Sequence, residues 1–95
     1  MSRSLVERRL TELAGQSKAL RRDLAVAEEQ LAHLDEEAEE ARLRALVAET
    51  PLAGREHRDA QRHADAMRRH RQEISDELAR LDRAQDELLD RLLEH

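Results

Sequence analysis

Three groups of residues in this sequence have the types that do chemistry. They are five histidines, an acidic run and an arginine-rich stretch. A zinc site on a helix presents two imidazoles at i and i+4 with a carboxylate nearby. His33, His57, His63, His70 and His95 never take that spacing, and His63 and His70 stand seven apart. The expectation is therefore no metal site. Flank histidines beside acidic neighbours would give mild pH sensitivity.

The run Asp35-Glu36-Glu37-Ala38-Glu39-Glu40 has paired carboxylates, but acid–base work needs them positioned on a substrate in a desolvated cleft. A chain of 95 residues with no Phe, Trp, Tyr or Cys lacks the bulk to build one. The run reads as a solvated face. From Arg55 to Arg71 there are six Arg and three His against Glu56, Asp59 and Asp65. No aromatic residue is present to stack on a base, and the net charge of −5 argues against a phosphate backbone as main partner. That stretch is expected to answer the acidic half of the first helix. Without cysteine there is no thiolate ligand, nucleophile or disulfide. These exclusions point to a non-enzymatic protein with no cofactor and no small-molecule substrate. An enzyme would need a pocket between helices that recruits Arg71 or Gln85.

The elements that must carry these residues are helices. Ala (15) and Leu (16) supply 31 of the 37 hydrophobic residues, and 41% of the chain is charged. That is the composition of long helices and coiled coils. Three Val, one Ile and two Thr are too few for a β fold. The strong punctuation is Thr50-Pro51-Leu52-Ala53-Gly54, since Pro cannot continue a helix and Gly weakens one. Two helices are predicted, over about residues 3–49 and 54–94, with the turn at about 50–54. Gly15 is expected to be tolerated within the first.

Periodicity gives the seam. In the first helix it runs Val6, Leu10, Leu13, Ser17, Leu20, Leu24, Ala27, Leu31, Leu34, Ala38, Ala41, Ala45, Ala48. In the second it runs His57, Ala60, Ala64, Met67, Arg71, Ile74, Leu78, Leu81, Gln85, Leu88, Leu92, His95. Alternating steps of three and four are the mark of a left-handed coiled coil. A short turn folds such helices into an all-α antiparallel coiled-coil hairpin, able to dimerise into a four-helix bundle. Ser17, His57, Arg71 and Gln85 are polar seam positions. They are expected to fix register at a cost in stability, the alternative being that Arg71 or Gln85 faces a partner's carboxylate in a larger assembly.

Charge runs in four blocks: +3 over 1–27, −6 over 28–49, +3 over 55–71 and −5 over 72–95. Antiparallel pairing places opposite signs together. Two registers compete. If layer partners sum to 105, Ala38 meets Met67, and the flanks bring Arg21 near Asp82, Asp35 near Arg68 and Glu37 near His70. If they sum to 98, Leu31 meets Met67, Val6 pairs with Leu92, and Thr50 caps a helix that starts at Pro51. That shift also brings Arg9 near Arg91 and Asp23 near Glu77. Flank charge favours 105.

Off the seam, Leu43, Leu46 and Val47 stand near the turn, Leu52 stands in it, and Leu89 and Leu93 widen the stripe at the other end. Either Leu52 folds onto Leu46 and Val47 and closes the tip, or these residues form a patch that buries against another chain. A two-helix hairpin is short of buried area, which favours self-association or docking on a protein. The expected function is a protein–protein interaction module, a scaffold or adaptor acting through its tip and these residues. The alternative is a transcription regulator whose hairpin binds RNA polymerase or a sigma factor through an acidic tip of Glu49, Glu56 and Asp59. No apolar run approaches the roughly 20 residues of a membrane span. The start, Met1-Ser2-Arg3-Ser4-Leu5-Val6-Glu7, lacks a signal peptide's apolar core. A cytoplasmic location is expected, and the preference for Arg over Lys points to a GC-rich bacterial genome.

The tip Glu49-Thr50-Pro51-Leu52-Ala53 with Arg55-Glu56-His57, then Arg62-His63-Ala64 and Met67, then Gln85-Asp86-Glu87-Leu88-Leu89-Asp90-Arg91-Leu92, resembles a group of small uncharacterised actinobacterial coiled-coil proteins. The resemblance implies a helical hairpin and a bacterial source. It implies no activity.

Overall fold

The computed structural model of the chain describes residues 2–94. It is an all-α helical hairpin of two helices, α1 (Arg3–Ala48) and α2 (Pro51–Leu93). Ser2 caps α1. Its Oγ accepts the Leu5 N–H at 3.2 Å, and its carbonyl accepts the Val6 N–H at 3.0 Å.

The connection is shorter than the sequence pattern predicts. Glu49 and Thr50 alone join the helices, and α2 starts at Pro51, three residues before the expected 54. Pro at the first helical position gives up no intrahelical bond, because that N–H has no partner in any helix. Thr50 Oγ1 accepts the Ala53 N–H at 3.2 Å, and the Thr50 carbonyl accepts the Gly54 N–H at 3.1 Å. Pro51 and Gly54, read as a break, therefore form the first turn of a capped helix. A tight reversal also needs one residue in the left-handed region. Glu49 takes it, with φ of 51°, and donates its N–H to the Ala45 carbonyl at 3.1 Å. Glycine is the usual occupant of this position, because a Cβ there crowds the backbone. Glu49→Gly is expected to stabilise the fold by about 0.5–1 kcal/mol, net of glycine's greater freedom when unfolded. A rise in the denaturation midpoint at fixed protein concentration would show it, and a fall would mean the side chain has an unrecognised structural role.

The chain divides into two compact units, one of residues 1–24 with 73–95 and one of residues 25–72. In the first, Val6, Leu13, Leu81 and Leu88 form a buried cluster, with Leu10, Leu20, Ala84 and Leu92 packed against it. In the second, small residues dominate: Ala27, Ala38, Ala41, Ala53 and Ala64 are buried with Leu31. The predicted seam is buried or half-buried at every described position of both helices except Ala48. Ala53 adds one step to it, made possible by the early start of α2. His95 lies outside the described residues.

The register favoured by flank charge is corrected here. A layer sum of 105 would leave Val6 overhanging, yet Val6 is only 2% exposed and shares its cluster with Leu88 and Leu92. The cap at Thr50 and the start at Pro51 are likewise the features of the 98 register. The physical reason is magnitude. Each exposed flank pair contributes only a few tenths of a kcal/mol, whereas burying a valine contributes about 1.5 kcal/mol or more. The ion pair of Arg68 with Asp35, at 2.9 Å, forms all the same, since the long Arg stem can reach along the flank. Arg68 also holds Asp65 at 3.0 Å. Five other guanidinium groups turn to carboxylates three or four residues away on their own helix, in Arg3–Glu7, Arg9–Glu12, Arg42–Glu39, Arg62–Asp59 and Arg80–Glu77.

Of the polar seam positions, Ser17 alone is fully buried, at 1% exposure, and its Oγ has no hydrogen-bond partner. His57, Arg71 and Gln85 are half-buried. A buried hydroxyl without a partner costs about 1–3 kcal/mol, and Ala is the better helix former. Ser17→Ala should therefore raise stability by about 1 kcal/mol or more, read as a higher urea midpoint with an unchanged slope. An unchanged midpoint would mean that water reaches the hydroxyl.

Candidate functional site

The tip belongs to the unit of residues 25–72. Ala41 and Ala45 hold the seam at the end of α1, so the larger Leu43, Leu46 and Val47 fall away from it. In the structure they are 49%, 61% and 88% exposed. Leu52, on the first turn of α2, is 58% exposed. Leu52 thus does not close the tip over Leu46 and Val47. The two-residue connection sets it beside α1 without covering it.

Leu43, Val47 and Leu52 instead line one open depression of about 500 Å³ together with Ala48, Thr50 and Ala53. Two charged side chains complete the lining, Arg44 from α1 and Glu56 from α2. Among the described residues neither takes part in an ion pair or side-chain hydrogen bond. Their neighbours differ. Arg42 donates two hydrogen bonds to Glu39, at 2.9 and 2.7 Å, which hold the Glu39 carboxyl below its ordinary value. Arg62 engages Asp59.

The three acids read as an acidic tip have different surroundings. Glu49 is in the connection, Glu56 lines the depression and Asp59 is tied to Arg62. Arg55 and Arg58 stand among them in sequence and Arg44 lines the same depression as Glu56, so the tip carries mixed charge. The acidic run is likewise paired where Asp35 meets Arg68 and Glu39 meets Arg42. Arg71, read as a candidate for a pocket, lines an open polar hollow with Asp65, Arg68 and Arg69. No three His, Asp or Glu side chains converge on one point among the described residues. No helix among them is long and apolar enough to cross a membrane.

In the other unit, Leu89 and Leu93 are 47% and 84% exposed. A second depression lies there, lined by Leu5, Leu13, Ala84 and Leu88 with Arg8, Arg9, Glu12, Glu87 and Arg91. Leu89 and Leu93 are not part of its lining. Leu5, 49% exposed, and Val26, 53% exposed, are exposed apolar residues that the sequence reading passed over. The signal was present, since each lies one place from a seam residue, Val6 and Ala27.

Comparisons with protein-family models, with curated proteins and with solved structures find no match to this chain.

Proposed function

We propose that the protein is a non-enzymatic interaction module of the bacterial cytoplasm, a helical hairpin that binds another protein chain through its tip. The observation that carries this reading is the exposure of Leu43, Leu46, Val47 and Leu52 beside a seam of buried alanines. Contiguous exposed apolar side chains rimmed by charge are the ordinary mark of a docking surface. Off the tip, Leu89 and Leu93 extend the reading to a second contact.

The mixed charge of the tip gives less support to the alternative, an acidic finger for RNA polymerase or a sigma factor. Glu56 is the residue that would serve it, and Glu56→Ala would weaken co-purification with polymerase.

Crosslinking with mass spectrometry in native lysate tests the main reading. The wild type should yield crosslinks from Lys18 and from carboxylates near the tip, such as Glu56, to another chain. Val47→Glu with Leu52→Glu should lose the tip products while retaining helical circular dichroism. Recovery of the uncrosslinked chain alone, at every concentration and in lysate, would refute it.

A further inference from the structure

The depression at the tip carries more information than its apolar floor, because its two charged side chains have opposite signs. Arg44 and Glu56 line the same surface, one from each helix, and among the described residues neither takes part in an ion pair or side-chain hydrogen bond. Six of the sixteen arginines, Arg3, Arg9, Arg42, Arg62, Arg68 and Arg80, find a carboxylate three or four residues away. Arg44 has Glu40 at that spacing and does not take it.

A surface with one free cation and one free anion on either side of an apolar floor is self-complementary. In a two-fold contact, residue i of one copy meets residue j of the other, and j meets i. Such a contact sets Arg44 of each copy against Glu56 of the other, and both pairs form at once. The floor supplies the apolar centre, with Leu43, Val47 and Leu52 from each chain. A partner of a single sign would satisfy one rim residue and repel the other.

We infer that the occupant of the tip depression is a second copy of this chain, joined by a two-fold contact in which Arg44 and Glu56 pair reciprocally. This deepens the interaction reading above and rests on it. The partner is specified by charge, and the apolar floor supplies the affinity. Juxtaposed like charges in such a contact are costly, which gives it specificity.

Charge exchange tests the contact on the purified full chain by sedimentation equilibrium. The wild type should pass from the mass of one chain to that of two as concentration rises. Arg44→Glu and Glu56→Arg alone each place like charges together twice, and each should weaken association at least about tenfold. An equimolar mixture of the two single variants restores both pairs in the mixed dimer, as does the double variant R44E/E56R with itself. Both should return to near wild-type association. Circular dichroism and the denaturation midpoint of each variant, measured at one concentration, show that the fold is kept.

A wild type that stays at the mass of one chain throughout would overturn the inference. So would a mixture no tighter than its components, or a mass that grows past two chains. These results leave the broader reading separately testable, since tip crosslinks to a different protein would survive them. Loss of those crosslinks as well would remove both.

Discussion

Leu13→Ala should cost about 3 kcal/mol, the largest single loss among the substitutions considered. Leu13 is 1% exposed and sits in the cluster of Val6, Leu81 and Leu88. Truncating a fully buried leucine forfeits its transfer free energy and leaves a cavity, at about 2–5 kcal/mol in well-packed sites. The unit of residues 1–24 and 73–95 has few large side chains with which to refill the space. For a chain of this size the total stability is about 5–14 kcal/mol, so the variant loses a large share of it. At about 4–8 °C for each kcal/mol, the thermal midpoint falls by well over ten degrees. The comparison variant is Leu5→Ala, because Leu5 is 49% exposed and outside that cluster. It should move the midpoint by a degree or two. Equal effects of the two would mean that the cluster is not the core. Both measurements belong at one protein concentration, since self-association shifts apparent stability.

The second large effect has the opposite cause. Ala64 is fully buried, at 0% exposure, in the unit where Ala27, Ala38, Ala41 and Ala53 are also buried. A seam of alanines lets two helix backbones approach more closely than leucine layers do. Ala64→Leu adds three carbons where no space exists. Overpacking of this kind costs about 1–3 kcal/mol through forced rotamers and displaced backbone. Ala66→Leu, two residues on, on the opposite face of the helix and exposed, should be nearly neutral. A stabilising Ala64→Leu would show instead that the alanine layers are underpacked and leave room for a side chain.

Substitutions at the thin alanine end and at the leucine end thus fail for different reasons. The leucine end fails by void and the alanine end by collision. The same contrast bears on the tip. Alanine layers bury little area, so the residues that could have enlarged the core near the turn, Leu43, Leu46, Val47 and Leu52, stand outside it. That leaves apolar area for a second chain to cover.

Much of the fold was legible in the spacing of residues. Alternating steps of three and four marked both helices, and every described seam position but Ala48 is buried or half-buried. Ala48 fails because it is the last residue of α1, beyond which no facing turn of α2 exists. The off-seam residues near the turn were also legible, since a seven-residue repeat assigns every apolar residue to one side or the other.

The register was not legible, because a shift of one heptad leaves the whole hydrophobic pattern unchanged. Only weak flank pairs distinguish the alternatives, and they are too small to set the register. What decides it is how the chain reverses: Thr50 capping at Pro51, and Val6 drawn into the cluster of Leu88 and Leu92. The positive φ of Glu49 was equally invisible. No residue type there announces a left-handed conformation, and closing a two-residue connection between helices imposes it. The unpaired state of Arg44 and Glu56 is the third such feature. In sequence Arg44 has Glu40 four residues before it, a spacing that would allow a pair. Composition and periodicity by themselves determined that the chain is two amphipathic helices with a thin Ala/Leu seam, because both are local properties of the repeat. The tertiary structure alone decided the register and the strained connection, because each depends on where the second helix is anchored against the first.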